Sequence, residues 1–184
     1  EFSGFVSGSD FEMKGYFGNI LAYAFLPDEH LFINADFSSK NFNLDEILET
    51  ERGSSSENST LRFSDRVNYN LNLNIDNFKF RKFSSTQNSG RLIQRNKVLF
   101  VENAQLNSMD GSINIDGSIN GKDNFTYYIN CNAEFDDVNI HKLFRDFGNF
   151  RQENLTSENL RGTVDASVQY ASTLSPALYV NPAS

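Results

Sequence analysis

In the stretch VNYNLNLNID, apolar side chains stand at Val67, Tyr69, Leu71, Leu73 and Ile75, and asparagines fill the places between them. A period of two is the mark of a strand with one dry face and one wet face. The same alternation runs through LFINADF (Leu31, Ile33, Ala35, Phe37), YYINCNAEF (Tyr127, Ile129, Cys131, Ala133, Phe135) and TVDASVQY (Val164, Ala166, Val168, Tyr170). After Ile75 the apolar phase slips to Phe78 and Phe80, which predicts a bulge near Asp76-Asn77. The stretch DGSINIDGSING nearly repeats itself, and it fits the same scheme. Ile113, Ile115 and Ile119 share a face, with Gly117 where a fourth side chain would stand. Asp110-Gly111 and Asn120-Gly121 are turn dipeptides, so the echo reads as turn, strand, turn. Calcium-binding or β-helix repeats would need many more copies.

Two segments change to helical spacing. In FNLDEILET, Leu44, Ile47 and Leu48 fall at i, i+3 and i+4, behind an Asn43 cap with Glu46 placed for a capping box and Phe42 for a staple to Ile47. In VNIHKLFRDFG, Ile140, Leu143, Phe144 and Phe147 fall at i, i+3, i+4 and i+7, behind an Asn139 cap, with Val138 as staple to Leu143 and Gly148 as the stop. Short helices are therefore expected near 43–50 and 139–148. Each follows a strand, and the two strand–helix units echo one another. Ala35-Asp36-Phe37 answers Ala133-Glu134-Phe135, and Phe42-Asn43-Leu44 answers Val138-Asn139-Ile140. Such an internal repeat suggests an array rather than a closed globule. Polar runs at 53–59 and 84–90 read as loops between elements.

Composition narrows the function classes. The chain has 184 residues with eighteen Phe and seven Tyr but no Trp, and a formal net charge of −8. Phosphate backbones require a basic surface, so nucleic acid is not an expected partner. A single cysteine, Cys131, excludes an intrachain disulfide and a cysteine metal cage. No run of about eighteen apolar residues is present, so no membrane-spanning segment is expected in this chain.

Candidate chemistry is sparse, and neither an enzyme nor a cofactor is expected. His30 and His141 have no partners in sequence that would complete a hydrolytic or metal site. Cys131 lies on the apolar face of its strand, as a core thiol would. Asp10, Asp110 and Asp116 neighbour glycines, as turn residues do, with a calcium site as the other reading. Asn58, Asn124 and Asn154 match the glycosylation pattern, which arises by chance in so asparagine-rich a chain. Phosphate-loop, Gly-x-Ser-x-Gly and Cys-x-x-Cys motifs are absent.

The combination NAEFDDVNIHKLFRDFG followed by LRGTVDASVQY resembles the carboxy-terminal region of AsmA-like proteins of the Gram-negative envelope. Val138-Asn139-Ile140 with Leu143-Phe144 is similar to that family's strand-to-helix junction, Gly162 to Val168 to its following strand, and DGSINIDGSI to its glycine-spaced strand. The resemblance covers about residues 8–172. It implies an all-β fold, an elongated curved antiparallel sheet open along one side, with a two-sheet β-sandwich as the alternative. It also implies that residues 1–184 are one β-repeat segment of a longer periplasmic protein anchored to the inner membrane elsewhere. The implied partners are phospholipid or another envelope lipid, and envelope proteins. The alternation adds a physical reason. Two short helices cannot cover a sheet of about eight to ten strands, and an uncovered apolar face marks a ligand surface. The expected lipid-groove residues are Leu71, Leu73, Ile75, Ile113, Ile115, Ile119, Ile129, Val164 and Val168. The alternative is a β-sandwich module binding a carbohydrate or protein.

Overall fold

In a computed structural model the alternating segments form nine strands of one sheet. The structure describes residues 2–6, 8–50, 63–123 and 125–175. The strands are β1 (Phe2–Val6), β2 (Ser9–Gly18), β3 (Leu31–Asn43), β4 (Val67–Phe80), β5 (Phe83–Arg95), β6 (Val98–Ser108), β7 (Gly111–Asn120), β8 (Tyr127–Asn139) and β9 (Thr163–Leu174). They lie in the sheet in sequence order, so β1 and β9 are opposite edges of a curved sheet that does not close. No second sheet faces it among the described residues, so the sandwich alternative is not the fold. One ladder departs from the antiparallel expectation: β3 and β4 run parallel, from Leu31 opposite Val67 to Asn43 opposite Lys79. A parallel pair needs a long crossover, and residues 44–66 supply it.

The expected helices form as α2 (Leu44–Thr50) and α3 (Ile140–Asp146). Asn139 caps α3, its side chain accepting from Lys142 N–H, and Gly148 breaks away with a φ of +61°. Leu143 packs on the cluster that contains Val138, as the staple requires. Asn43 accepts from Asp45 N–H and its side-chain amide donates to Glu46, but its own N–H donates to the Ser9 hydroxyl, so a side-chain pair stands where a capping box with Glu46 was expected. A third helix, α1 (Ile20–Phe25), joins β2 to β3 and was not expected. Its sequence, ILAYAF, is apolar on every side and so carries no helical period.

Two sequence readings need correction. The polar run 84–90 is not a loop; it lies within β5. Its small polar side chains satisfy one another and the neighbouring backbone. Ser85 hydroxyl bonds Asn88, and Asn88 donates to Ile75 O. The turn before β7 is centred on Met109-Asp110, both at positive φ (51° and 66°), one residue earlier than expected. Ser108 pairs with Gly111 across this turn. Gly111 is needed as a strand residue, because a Cβ there would stand 2.4 Å from Asp136 O. The polar run 53–59 lies outside the described residues.

The phase slip after Ile75 is shared across the sheet. Pairing skips Lys40, Asp76 and Gln87 side by side in β3, β4 and β5, so these strands slip together and keep their mutual register. β6 and β8 make their own slips at Asn103 and Asp137, both at positive φ. Each extra residue leaves backbone donors unpaired in the ladder. Carboxylates of the adjacent strands take them. Asp10 accepts from Lys40 and Asn41 N–H at 3.0 and 2.9 Å, Asp116 from Asn103 N–H at 2.8 Å, and Asp165 from Asp137 N–H at 2.7 Å.

Candidate apolar groove and cleft

Strand register places the apolar positions in rows that cross the sheet. One row runs Ala35, Leu71, Leu92, Val101, Gly117, Cys131, Tyr170. A second runs Ile33, Tyr69, Gln94, Leu99, Ile119, Ile129, Ser172. A third holds Phe37, Leu73, Gly90, Ala104, Ile115, Ala133 and Val168, and here Gly90 lets two backbones meet: a Cβ would stand 2.8 Å from Ala104 Cα. All nine expected groove residues lie on this one face. The opposite face is richer in polar groups, with Asn72 donating to Asp36 at 2.8 Å and Arg91 bridging Asn70 and Glu102, although Tyr16, Phe32, Ile93, Phe100 and Tyr128 also stand on it.

The apolar face is covered at its two ends. At the end holding α1, Phe63, Tyr127 and Leu174 form a buried cluster with Leu99, Ile119 and Ile129 packed on it. At the end holding α2 and α3, Met109, Ile113 and Val138 form another, joined by Phe135, Ile115, Leu143 and Val164. Ile113 at 2 % and Val138 at 0 % exposure are core. Elsewhere on this face Ala35, Leu71, Ile75 and Ala133 are buried too, Leu73, Ile115 and Ile129 are half-buried, and Val168 and Tyr170 are each 42 % exposed. Two polar groups on this face are neutral. Gln94 donates to Ser64 O and Val67 O. Burial pushes the Tyr69 phenol up to about 12.

A line of phenylalanine rings crosses the sheet at the end holding α2 and α3. Phe2, Phe11, Phe37, Phe42, Phe78, Phe83, Phe147 and Phe150 follow one another with ring centroids 5.6–6.4 Å apart, and Phe144 abuts Phe150 at 5.1 Å. These are ordinary distances for favourable ring pairs. The rings come from β1 to β5 and from the α3 region, so the line exists only once the strands are in register. Beside it opens a cleft of about 990 Å³. Phe42, Phe78 and Met109 supply its apolar lining, and Asn41, Asn43, Asn77, Asn107, Ser84, Ser85, Thr86 and Ser108 its amides and hydroxyls. Lys79, Glu46 and Asp110 are its charged groups. Gly8, at φ +81°, leaves room for the Glu46 carboxylate, which stands 2.7 Å from where a Cβ would be.

The other candidate residues are dispersed. His30 is exposed at the start of β3, beside the Phe32 ring. His141 is in α3, its Nδ1 2.6 Å from Ser157 O. Burial, and secondarily Asp116, raises the Cys131 thiol above its ordinary value. Asp10 and Asp116 serve the bulges. Asp110 bonds Lys142 Nζ at 2.6 Å and Asn139, and the Lys142 bond chiefly lowers its carboxyl. Among the described residues no three His, Cys, Asp or Glu side chains gather as a metal site, and no helix is long and apolar enough to cross a membrane. Asn58 and Asn124 lie outside the described residues, and Asn154 is exposed. No protein-family model matches the chain, and no curated protein or solved structure is found to be similar to it.

Proposed function

We propose that the chain is a non-enzymatic lipid-handling module of AsmA type, which shields phospholipid acyl chains along the apolar face of its sheet on their way between the two membranes of a Gram-negative envelope. The observation that supports this most is a single open sheet whose apolar face is closed at both strand ends and left half-covered between them. Nine strands at ordinary spacing give that face a length of about 38 Å across the strands. A saturated chain laid on it gains about 0.8 kcal/mol for each methylene removed from water. A charge on the face blocks such a path, because an unpaired charge in an apolar site costs several kcal/mol.

The test compares the two faces. Photocrosslinkers at Leu73, Ile115 and Ile129 should capture co-purifying phospholipid, and those at Asn72, Asn114 and Asn130 should not. In the full-length protein Ile115→Asp should fail to complement and Asn114→Asp should succeed. Equal capture from both faces, or equal complementation, would remove the proposal.

A further inference from the structure

The segment around α1 is fastened by polar groups and shows apolar ones to the outside. Arg66, which directly precedes β4, donates through Nη2 to Tyr23 O and Leu26 O, both at 3.0 Å, and through Nε to Glu29 O at 3.1 Å. Its guanidinium carbon lies 4.6 Å from the centre of the Tyr23 ring. Asn19, at a φ of +66°, opens the helix and donates to the Glu29 carboxylate and to His30 O. No residue of α1 is buried. Ile20, Leu21 and Phe25 within it and Leu26 at its end are all exposed, Leu21 and Phe25 most of all. Tyr16 and Phe32 are exposed at the same corner of the sheet: the Tyr16 ring stands where a Cβ at Gly18 would, and Phe32 pairs with Gly18 in the ladder. Between Lys14 and Asp28 the sequence has no charged side chain. Single exposed apolar residues are ordinary, but six grouped at one corner mark an interaction surface.

Size and charge decide the occupant. A stable protein interface takes about 20–30 residues a side, far more than this corner offers. The cleft of about 990 Å³ on a second copy, lined chiefly by amides and hydroxyls, is no socket for apolar side chains. A bilayer moulds itself to what enters its interface and asks only for uncharged apolar and aromatic side chains. Arg66 has its guanidinium engaged with carbonyls, and a chain of net charge −8 is repelled by an anionic surface. We infer that α1, with Tyr16 and Phe32 beside it, docks on the surface of an electrically neutral lipid bilayer, with Leu21 and Phe25 entering the acyl boundary. This docking does not require the groove, whose residues line the apolar face of the sheet.

The chain has no Trp, so Phe25→Trp reports on α1 alone, and Phe147→Trp, at the end holding α3, is the reference. Each is titrated with unilamellar vesicles of dioleoyl-phosphatidylcholine. The emission of Phe25→Trp should shift to the blue and be quenched by brominated acyl chains, and that of Phe147→Trp should not change. In vesicle flotation, Leu21→Ser with Phe25→Ser should weaken binding about tenfold or more, because the two most exposed apolar side chains of the helix no longer leave water. Both sites are exposed, so the melting midpoint should stay where it is. Replacing one third of the lipid by dioleoyl-phosphatidylglycerol should not strengthen binding. A wild-type chain that does not float, flotation untouched by the double substitution, or an unshifted Phe25→Trp overturns the docking. Stronger binding to the anionic vesicles overturns the neutral surface. A blue shift that grows with protein concentration and needs no vesicles assigns α1 to a second copy instead. The groove is judged separately, by phospholipid capture from Leu73, Ile115 and Ile129.

Discussion

The unit β3–α2 and the unit β8–α3 share a local plan and differ in their neighbours. Both strands slip near their ends, both end on an asparagine cap, and both pass directly into a helix of seven residues. In each unit a neighbouring segment also holds the junction: Ser9 hydroxyl, in β2, accepts from Asn43 N–H, and Gly162 O, just before β9, accepts from Ile140 N–H. The strand that serves the bulge differs. For β3 it is β2, which comes before it in the chain; for β8 it is β9, which comes after. The exits differ as well. After α2 the chain crosses over to begin β4 parallel to β3, whereas after α3 it turns back to run β9 antiparallel to β8. Local sequence therefore dictates strand, slip, cap and helix, and the connection that follows dictates the partner.

The largest expected effect is at the residue before each cap. Val138 is fully buried, and its counterpart Phe42 is half-buried. Val138→Asp should cost on the order of 4 kcal/mol in denaturant unfolding, and Phe42→Asp about half that. Equal costs would show that the α2 end is as closed as the α3 end.

The caps should be alike. Asn43→Ala and Asn139→Ala are each expected to cost about 1 kcal/mol, read as a shift of the unfolding midpoint at constant slope. A difference between them beyond about 1 kcal/mol would show that the echo is one of shape and not of energy.

The bulge carboxylates carry a pH signature. The N–H groups of Lys40 and then Asn41 hold the Asp10 carboxyl below its ordinary 3.8. The folded value is the lower, so the unfolded chain takes up the proton first as pH falls. The stabilisation is complete well above 3.8 and is lost as the pH drops below it through the folded value. Melting midpoints measured from pH 6 down to about pH 3 should fall less steeply for Asp10→Asn than for the wild type. Parallel curves would detach Asp10 from the slip in β3.

The smallest effect belongs to groups found in only one unit or in neither. The bond between His141 and Ser157 O has no counterpart beside α2 among the described residues, and removing it with His141→Ala should cost no more than about 1 kcal/mol. The triple replacement His30→Ala, His141→Ala and Cys131→Ser should leave lipid uptake, read by phospholipid capture from Leu73, Ile115 and Ile129, unchanged. Lost uptake in a protein that still folds would reveal a site that neither the residues nor the geometry brings together.

The sequence made plain whatever depends on neighbours within a few residues. The alternation from Val67 to Ile75, both capped helices and the echo between them are all local patterns, and each is found in the structure. What it concealed depends on register between strands. The phenylalanine line draws on five strands and on the α3 region, and no single segment shows it. Helix α1 was invisible for a different reason: a helix with Leu21 and Phe25 at 75 % and 81 % exposure has no dry side to impose a period. Composition misled at 84–90, where serine and asparagine suggested a loop. In β5 Ser85 bonds Asn88 of the same strand, and Asn88 and Gln87 find partners on the neighbouring strands.

The order of the strands also sets how the molecule answers to force. Its first and last strands are opposite edges of one sheet, so tension applied between them pulls across the strands and along the hydrogen bonds. Each ladder is then loaded in turn, as a zip is opened, rather than all at once in shear. Hairpin-linked ladders release a short length of chain at each step. The parallel ladder between β3 and β4 and the antiparallel ladder between β8 and β9 release much more, because residues 44–66 and 140–162 join their strands. Stretched between two anchors, the sheet would act as a compliant spring that gives way in increments, with its two long extensions at the joints that follow α2 and α3.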